Sequence, residues 1–172
     1  LSVTDPAGNR TQFIYDALDR VVTKIDPVNM RTNYTYDPAG NLIEQVDRNN
    51  RRRIFDYDAH NQMVKETWLD GAATVNVIAY GHDAVGNQTY VADHFSSLFF
   101  SYDQANQLLT ADNSGTPGGP SVALTYSYDS MGNRISIQDN WGVRADSSYD
   151  SRRRLVSRTW QGSGMANPMR VD

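Results

Sequence analysis

Apolar and polar residues alternate along the chain in short runs, and no window keeps the three-to-four spacing of an amphipathic helix. Thr32-Asn33-Tyr34-Thr35-Tyr36, Leu42-Ile43-Glu44-Gln45-Val46 and Leu124-Thr125-Tyr126-Ser127-Tyr128 are representative. Each run is bounded by Gly, Asn, Asp or Pro, which predicts strands joined by tight turns. Of the 18 Asp, fourteen punctuate the runs at near-regular intervals: Asp5, Asp16, Asp26, Asp37, Asp47, Asp58, Asp70, Asp83, Asp93, Asp103, Asp112, Asp129, Asp139 and Asp150. A step of about ten residues fits one strand and one turn. The Asp opening each turn is suited to accept a hydrogen bond from the backbone two residues on.

Two kinds of turn alternate on this ladder, so the full repeat is about 21 residues, the scale of a stacked repeat unit. One kind opens with Tyr-Asp: Tyr15-Asp16, Tyr36-Asp37 with Gly40-Asn41, Tyr57-Asp58, Tyr102-Asp103, Tyr128-Asp129 with Gly132-Asn133, and Tyr149-Asp150. His82-Asp83 takes the same place in the fourth repeat. Gly or Asn recurs four residues after the Tyr, where a positive φ closes a hairpin. The other kind is looser (Asp26-Pro27-Val28-Asn29, Asp47-Arg48-Asn49-Asn50, Asp139-Asn140-Trp141-Gly142), with its longest member at 112–120. The expected product is all-β: a single array over 1–172, an antiparallel meander of about seven Tyr-Asp hairpin repeats, strongly twisted and curved. The repeat tyrosines then recur on every second strand, roughly 9.6 Å apart.

Composition narrows the chemistry. The chain has 172 residues, no Cys and a formal net charge of −4. Thiolate metal sites, disulfides and cysteine nucleophiles are thereby excluded, and the basic footprint of a nucleic-acid binder is missing. No apolar run approaches a membrane span. Glu occurs only twice, as Glu44 and Glu66, and their strands belong to neighbouring repeats with nothing in the sequence to pair them as glycosidase carboxylates. His60, His82 and His94 fall in different turns. The Asp and Asn of the turns are accounted for by backbone capping without a calcium ion, and no cofactor is expected.

The Tyr-Asp-x-x-Gly-Asn-Leu block, clearest from Tyr36 to Leu42 and recurring from Asp5 to Trp160, resembles the YD repeat of the RHS (rearrangement hotspot) family. The resemblance implies a fragment of the repeat region of a large secreted or cell-surface protein, part of an RHS-type β-shell. It further implies a non-catalytic wall that encloses a C-terminal toxin or effector domain. Both ends of the chain read as cut in mid-repeat, and the Asp-Pro-x-Gly-Leu stretch that the family associates with self-cleavage has no counterpart. The partners so implied are the remainder of a longer chain and a secretion-system protein.

A second expectation is a carbohydrate- or protein-binding surface. Trp68 and Trp160 each follow their repeat Tyr by 11 residues, Trp141 follows Tyr128 by 13, and all three belong beside the looser turns. Trp141 and Trp160, about 10 Å apart in adjacent repeats, with Arg152 and Arg153, are the candidate glycan-binding residues. The Arg51–Arg53 triplet is expected to send alternate side chains to opposite sheet faces.

Overall fold

The structure, a computed structural model, describes residues 1–162 and 169–171. Among these residues there are sixteen strands and no helix. Two compact units divide the chain, residues 1–80 and 81–172. In the first, β1 (Ser2–Thr4), β2 (Arg10–Tyr15), β3 (Val21–Ile25), β4 (Arg31–Tyr36), β5 (Leu42–Val46), β6 (Arg52–Tyr57), β7 (Met63–Asp70) and most of β8 (Ala73–His82) pair antiparallel in chain order. The second repeats the arrangement with β9 (Gln88–Ala92), β10 (Ser97–Tyr102), β11 (Leu108–Asp112), β12 (Ala123–Tyr128), β13 (Arg134–Asp139), β14 (Arg144–Tyr149), β15 (Leu155–Gln161) and β16 (Met169–Val171). The chain is an all-β antiparallel meander.

The turn chemistry is uniform. In the turn after β4, Gly40 N–H donates to Asp37 C=O at 3.1 Å and Asp37 N–H to Asn41 C=O at 2.9 Å, a tight turn closed by a left-handed residue. All seven repeats place that residue four positions after the Tyr or His: Asp19, Gly40, Asn61, Gly86, Asn106, Gly132 and Arg153, with φ between 57° and 95°. The first and last repeats thus adopt the bend without the expected Gly or Asn. The looser turns at Asp5, Asp26, Asp47 and Asp139 use the same pair of backbone bonds, closed by Gly8, Asn29, Asn50 and Gly142. Two kinds of sequence therefore make one kind of turn, because both supply the Asp acceptor and a residue tolerant of positive φ. Asp70 ends β7 and opens a tighter, two-residue turn at 71–72, across which it pairs with Ala73. The long connection runs over 113–122, closed by Asn113 N–H to Val122 C=O.

Every repeat tyrosine marks a shift in register. Thr35 pairs with Glu44 but Tyr36 with Leu42, leaving Ile43 as an extra residue in the second strand. The same slip leaves Val22, Val64, Leu109, Ile135 and Val156 extra beside Tyr15, Tyr57, Tyr102, Tyr128 and Tyr149. All six are aliphatic, so the bulge adds apolar surface next to the ring.

Register also assigns the sheet faces. Within the first unit Phe13, Tyr34, Phe55, Trp68, Ile78 and Tyr80 fall on one face; within the second, Phe100, Leu124, Tyr126, Ile137, Ala145 and Trp160 do. Thr, Ser, Gln and charged residues dominate the reverse faces, and burial alternates accordingly along β4 and β12. Even the aromatic face is thinly covered. Phe55 and Ala145 are the buried apolar residues among those described, and no side chain there is completely enclosed.

Candidate functional site

The repeat residues form the first functional feature, and each turn is held by its own Asp. The Asp129 carboxylate accepts from Met131 N–H and Asn133 N–H at 2.9 Å each and from Asn133 Nδ2 at 2.8 Å. Asp16, Asp58, Asp103 and Asp150 accept from the backbone two and four residues on in the same way. Asp37 accepts from Asn41 through both its N–H and its side-chain amide. The Asn amide donated at the fourth position holds the Asp5, Asp37, Asp83 and Asp129 carboxyls below their ordinary pKa. For Asp16, Asp26 and Asp150 the backbone N–H at that position is the principal cause.

From the second repeat on, each repeat tyrosine reaches one repeat back. Tyr36 donates its hydroxyl to Val21 C=O at 2.9 Å, Tyr57 to Leu42 at 2.9 Å, Tyr102 to Gln88 at 3.0 Å, Tyr128 to Leu108 at 2.9 Å and Tyr149 to Arg134 at 3.1 Å. The acceptor is always the first residue of the strand that follows the preceding repeat's Tyr-Asp turn. Turn tips are tied as well: Arg20 donates to Asp37 C=O, Asn41 to Asn61 and Asn87 to Asn106. The sequence signal for the tyrosine tie was present. Two positions earlier stand Phe13, Tyr34, Phe55, Tyr80, Phe100, Tyr126 and Ser147, a place that takes Phe as readily as Tyr, whereas at the repeat position Phe never appears.

The second feature interrupts the aromatic face of the first unit. Glu66, 7% exposed, accepts from Trp68 Nε1 at 2.7 Å, from the Tyr80 hydroxyl at 3.2 Å and from Arg53 Nη1 at 3.4 Å, while Arg53 Nη2 donates to Gln45 at 2.7 Å. Burial, then the adjacent Glu66 charge, raises the Tyr80 phenol above its ordinary pKa and keeps it a donor. Beside this cluster opens a cleft of about 440 Å³ whose lining includes Gln45, Asp47, Arg51, Arg53, Trp68 and Val75. Sequence reading noted Trp68 and the Arg triplet separately; β6–β7 pairing, which sets Arg53 opposite Trp68, joins them. As expected, neighbouring arginines diverge: Arg52 pairs with Glu44 on the reverse face and Arg53 with Glu66 on the aromatic one. Glu44 and Glu66 consequently point away from each other.

The four candidate glycan residues separate into two places. Trp141, 55% exposed, lies in the β13–β14 turn, and Trp160 pairs with Ala145 near that same end of β14. Arg152 and Arg153 sit in the β14–β15 turn at the other end of the six-residue β14, roughly 20 Å away at about 3.3 Å per residue. They do not make one site with the tryptophans. Arg158 stacks over Trp160 instead, at 5.8 Å. Among the described residues no group of His, Asp and Glu is arranged to hold a metal ion, and no helix is long and apolar enough to cross a membrane.

Sheet, turn and tyrosine tie together define a β-repeat protein built by stacking hairpins. The RHS repeat family model matches residues 1–29 and 31–73, so that stretch of the chain carries RHS repeats. No curated protein matches it in sequence. Solved structures share its fold. A crystal structure of TcdB2-TccC3-Cdc42 is similar with a TM-score of 0.72 at 18% identity over 88% of this chain and 9% of that one. A TcdB2-TccC3 structure without the hypervariable C-terminal region gives 0.73 at 17% identity over 88% of this chain and 9% of that one. The Photorhabdus luminescens Tc holotoxin pore gives 0.67 at 16% identity over 99% of this chain and 12% of that one. The chain spans about a tenth of the length of these relatives.

Proposed function

We propose that residues 1–172 form one array of RHS repeats, a non-catalytic stretch of wall in a β-shell that encloses a toxin or effector domain within a larger protein, secreted or held at a cell surface. The observation that carries this reading is the thinness of the sheet. The aromatic rings of each unit gather on one face, yet almost no apolar side chain is buried among those described. A sheet bonded edge to edge and tied at its turns makes a barrier, whereas its uncovered apolar face calls for further protein to complete it. Function then arises by exclusion, because ladder-bonded backbone gives proteases few loops to enter.

The test is limited proteolysis of the longer polypeptide containing this chain, with and without mild denaturant, following the region downstream of residue 172. Protection that is lost only when the sheet opens supports enclosure. Free cleavage under native conditions refutes it. A second reading, binding of carbohydrate or a partner protein at a cell surface, is favoured by Trp141, whose ring stands exposed in the β13–β14 turn.

A further inference from the structure

We propose that the cleft beside Trp68 binds a neutral saccharide, one face of a sugar ring stacking on the exposed indole while the paired side chains around it hold the hydroxyls. The repeat supplies an internal comparison. Four residues before the repeat Tyr or His, the positions equivalent to Arg53 hold Thr11, Thr32, Ile78, Leu98, Leu124 and Ala145. Nine residues after it, the positions equivalent to Glu66 hold Lys24, Gln45, Val91, Ala111, Ile137 and Arg158. Three repeats, those of His82, Tyr102 and Tyr128, are built with apolar residues at both places, and none of the others sets an acid against a base there. Replacing a buried charged pair by packed apolar side chains is often neutral or stabilising, so the sheet can be built without the Arg53–Glu66 pair.

Their arrangement suits a ligand. The Trp68 Nε1–H is donated to Glu66 at 2.7 Å, which fixes the ring with its polar edge inward, while 40% of the residue stays exposed. A fixed aromatic plate loses little entropy when a ligand stacks on it. Around it, Arg51 grips Asp47 through Nε at 2.8 Å and Nη2 at 2.6 Å, and Arg53 is shared between Glu66 and Gln45. Each guanidinium still has N–H donors to offer, and the carboxylates bring acceptors into the same planes, the combination that vicinal hydroxyls require. Because each arginine of the triplet faces a carboxylate, the cleft has no surplus positive charge for a sulfate or phosphate. The volume of about 440 Å³ lies within the range of roughly 300–1,000 Å³ typical of small-ligand sites. A nucleotide is the poorer fit, having one ring to stack on and a neutralised cluster facing its phosphate.

The site is independent of enclosure, and protease protection can hold or fail without touching it. The experiment titrates the ¹⁵N-labelled chain with maltose, cellobiose and N,N′-diacetylchitobiose, and separately with AMP and a heparin-derived sulfated disaccharide. The readout is the Trp68 indole N–H and Gln45 side-chain amide resonances. A saturable shift with at least one neutral disaccharide is expected, kept in Trp141→Ala and weakened about tenfold or more in Val75→Trp. Val75→Trp fills the mouth of the cleft from an exposed position and leaves the Glu66 bonds intact, whereas Trp68→Ala would remove a donor from a buried carboxylate and endanger folding. No saturable shift with any of the three neutral sugars, saturation by AMP or the sulfated disaccharide alone, or undiminished binding in Val75→Trp overturns the proposal.

Discussion

Replacing Tyr57 by Phe removes one oxygen and tests whether the repeats are tied as the geometry says. The Tyr57 hydroxyl donates to Leu42 C=O at 2.9 Å, across 15 residues of chain, and links β6 to the start of β5 in the preceding repeat. Burial, followed by the Asp37 and Glu66 charges, holds the phenol above its ordinary pKa, so it is a donor throughout the neutral range. Phe fills the same space and leaves the ring packing unchanged. The loss is therefore one neutral hydrogen bond, about 1 kcal/mol net, which corresponds to roughly a fivefold increase in the opening equilibrium. Since repeat arrays distribute stability through nearest-neighbour contacts, that increase belongs to β5, β6 and β7. Amide hydrogen exchange read strand by strand is the assay: about fivefold faster exchange there, with β12–β15 little changed, is the expected outcome. Equal acceleration everywhere, or none in β5–β7, would show that the tyrosine tie does not couple the repeats.

Acid should weaken the turns together. Their Asp carboxyls sit below the ordinary value of 3.8 when folded, so the stability they add is complete above that value and disappears as pH falls through the lower folded pKa values. A urea midpoint flat from neutrality to about pH 5 and falling steeply below pH 4 is expected; a decline already complete above pH 5 contradicts this. Gly40→Val forces a β-branched residue to φ 95° and should lower the thermal midpoint clearly more than Gly40→Asn, a ranking that differential scanning fluorimetry can reverse or uphold. Gly81→Ala would set a Cβ 2.1 Å from Tyr90 Cε1, and the overpacking should cost about 1–3 kcal/mol in chemical denaturation; an unchanged midpoint would mean that the ring moves freely aside. Arg53→Leu combined with Glu66→Gln, which removes both charges and keeps a carbonyl acceptor beside Trp68 Nε1 and the Tyr80 hydroxyl, should be at least as stable as the parent. Arg53→Leu alone should be less stable, because it leaves Glu66 with one donor fewer. A double variant weaker than the single one would sink that account.

Local chemistry was legible in the sequence because its causes lie within about five residues. Alternation defined the strands, and each turn Asp reaches backbone N–H groups two and four positions away. The looser turns hid the same geometry because Asn29 and Asn50 do what Gly40 does, while Asp19 and Arg153 reach positive φ without the residue types that advertise it. Which face carries the aromatics could not be read, since the bulge at each repeat tyrosine slips the register by one residue and a slip of one exchanges the faces. The four glycan candidates fell apart for the same reason: spacing along the chain does not tell opposite ends of a strand from one another until the turns are placed.

What the sequence by itself determined was the β-meander, its 21-residue period and the resemblance that the family match upheld, all products of short-range periodicity. Only the tertiary structure decided that the repeat tyrosines bind carbonyls one repeat back and that Arg53, Glu66, Trp68 and Tyr80 meet around a single buried carboxylate. Those contacts join residues on separate strands, and their partners are chosen by strand register, which is settled by the sheet as a whole rather than by any one segment.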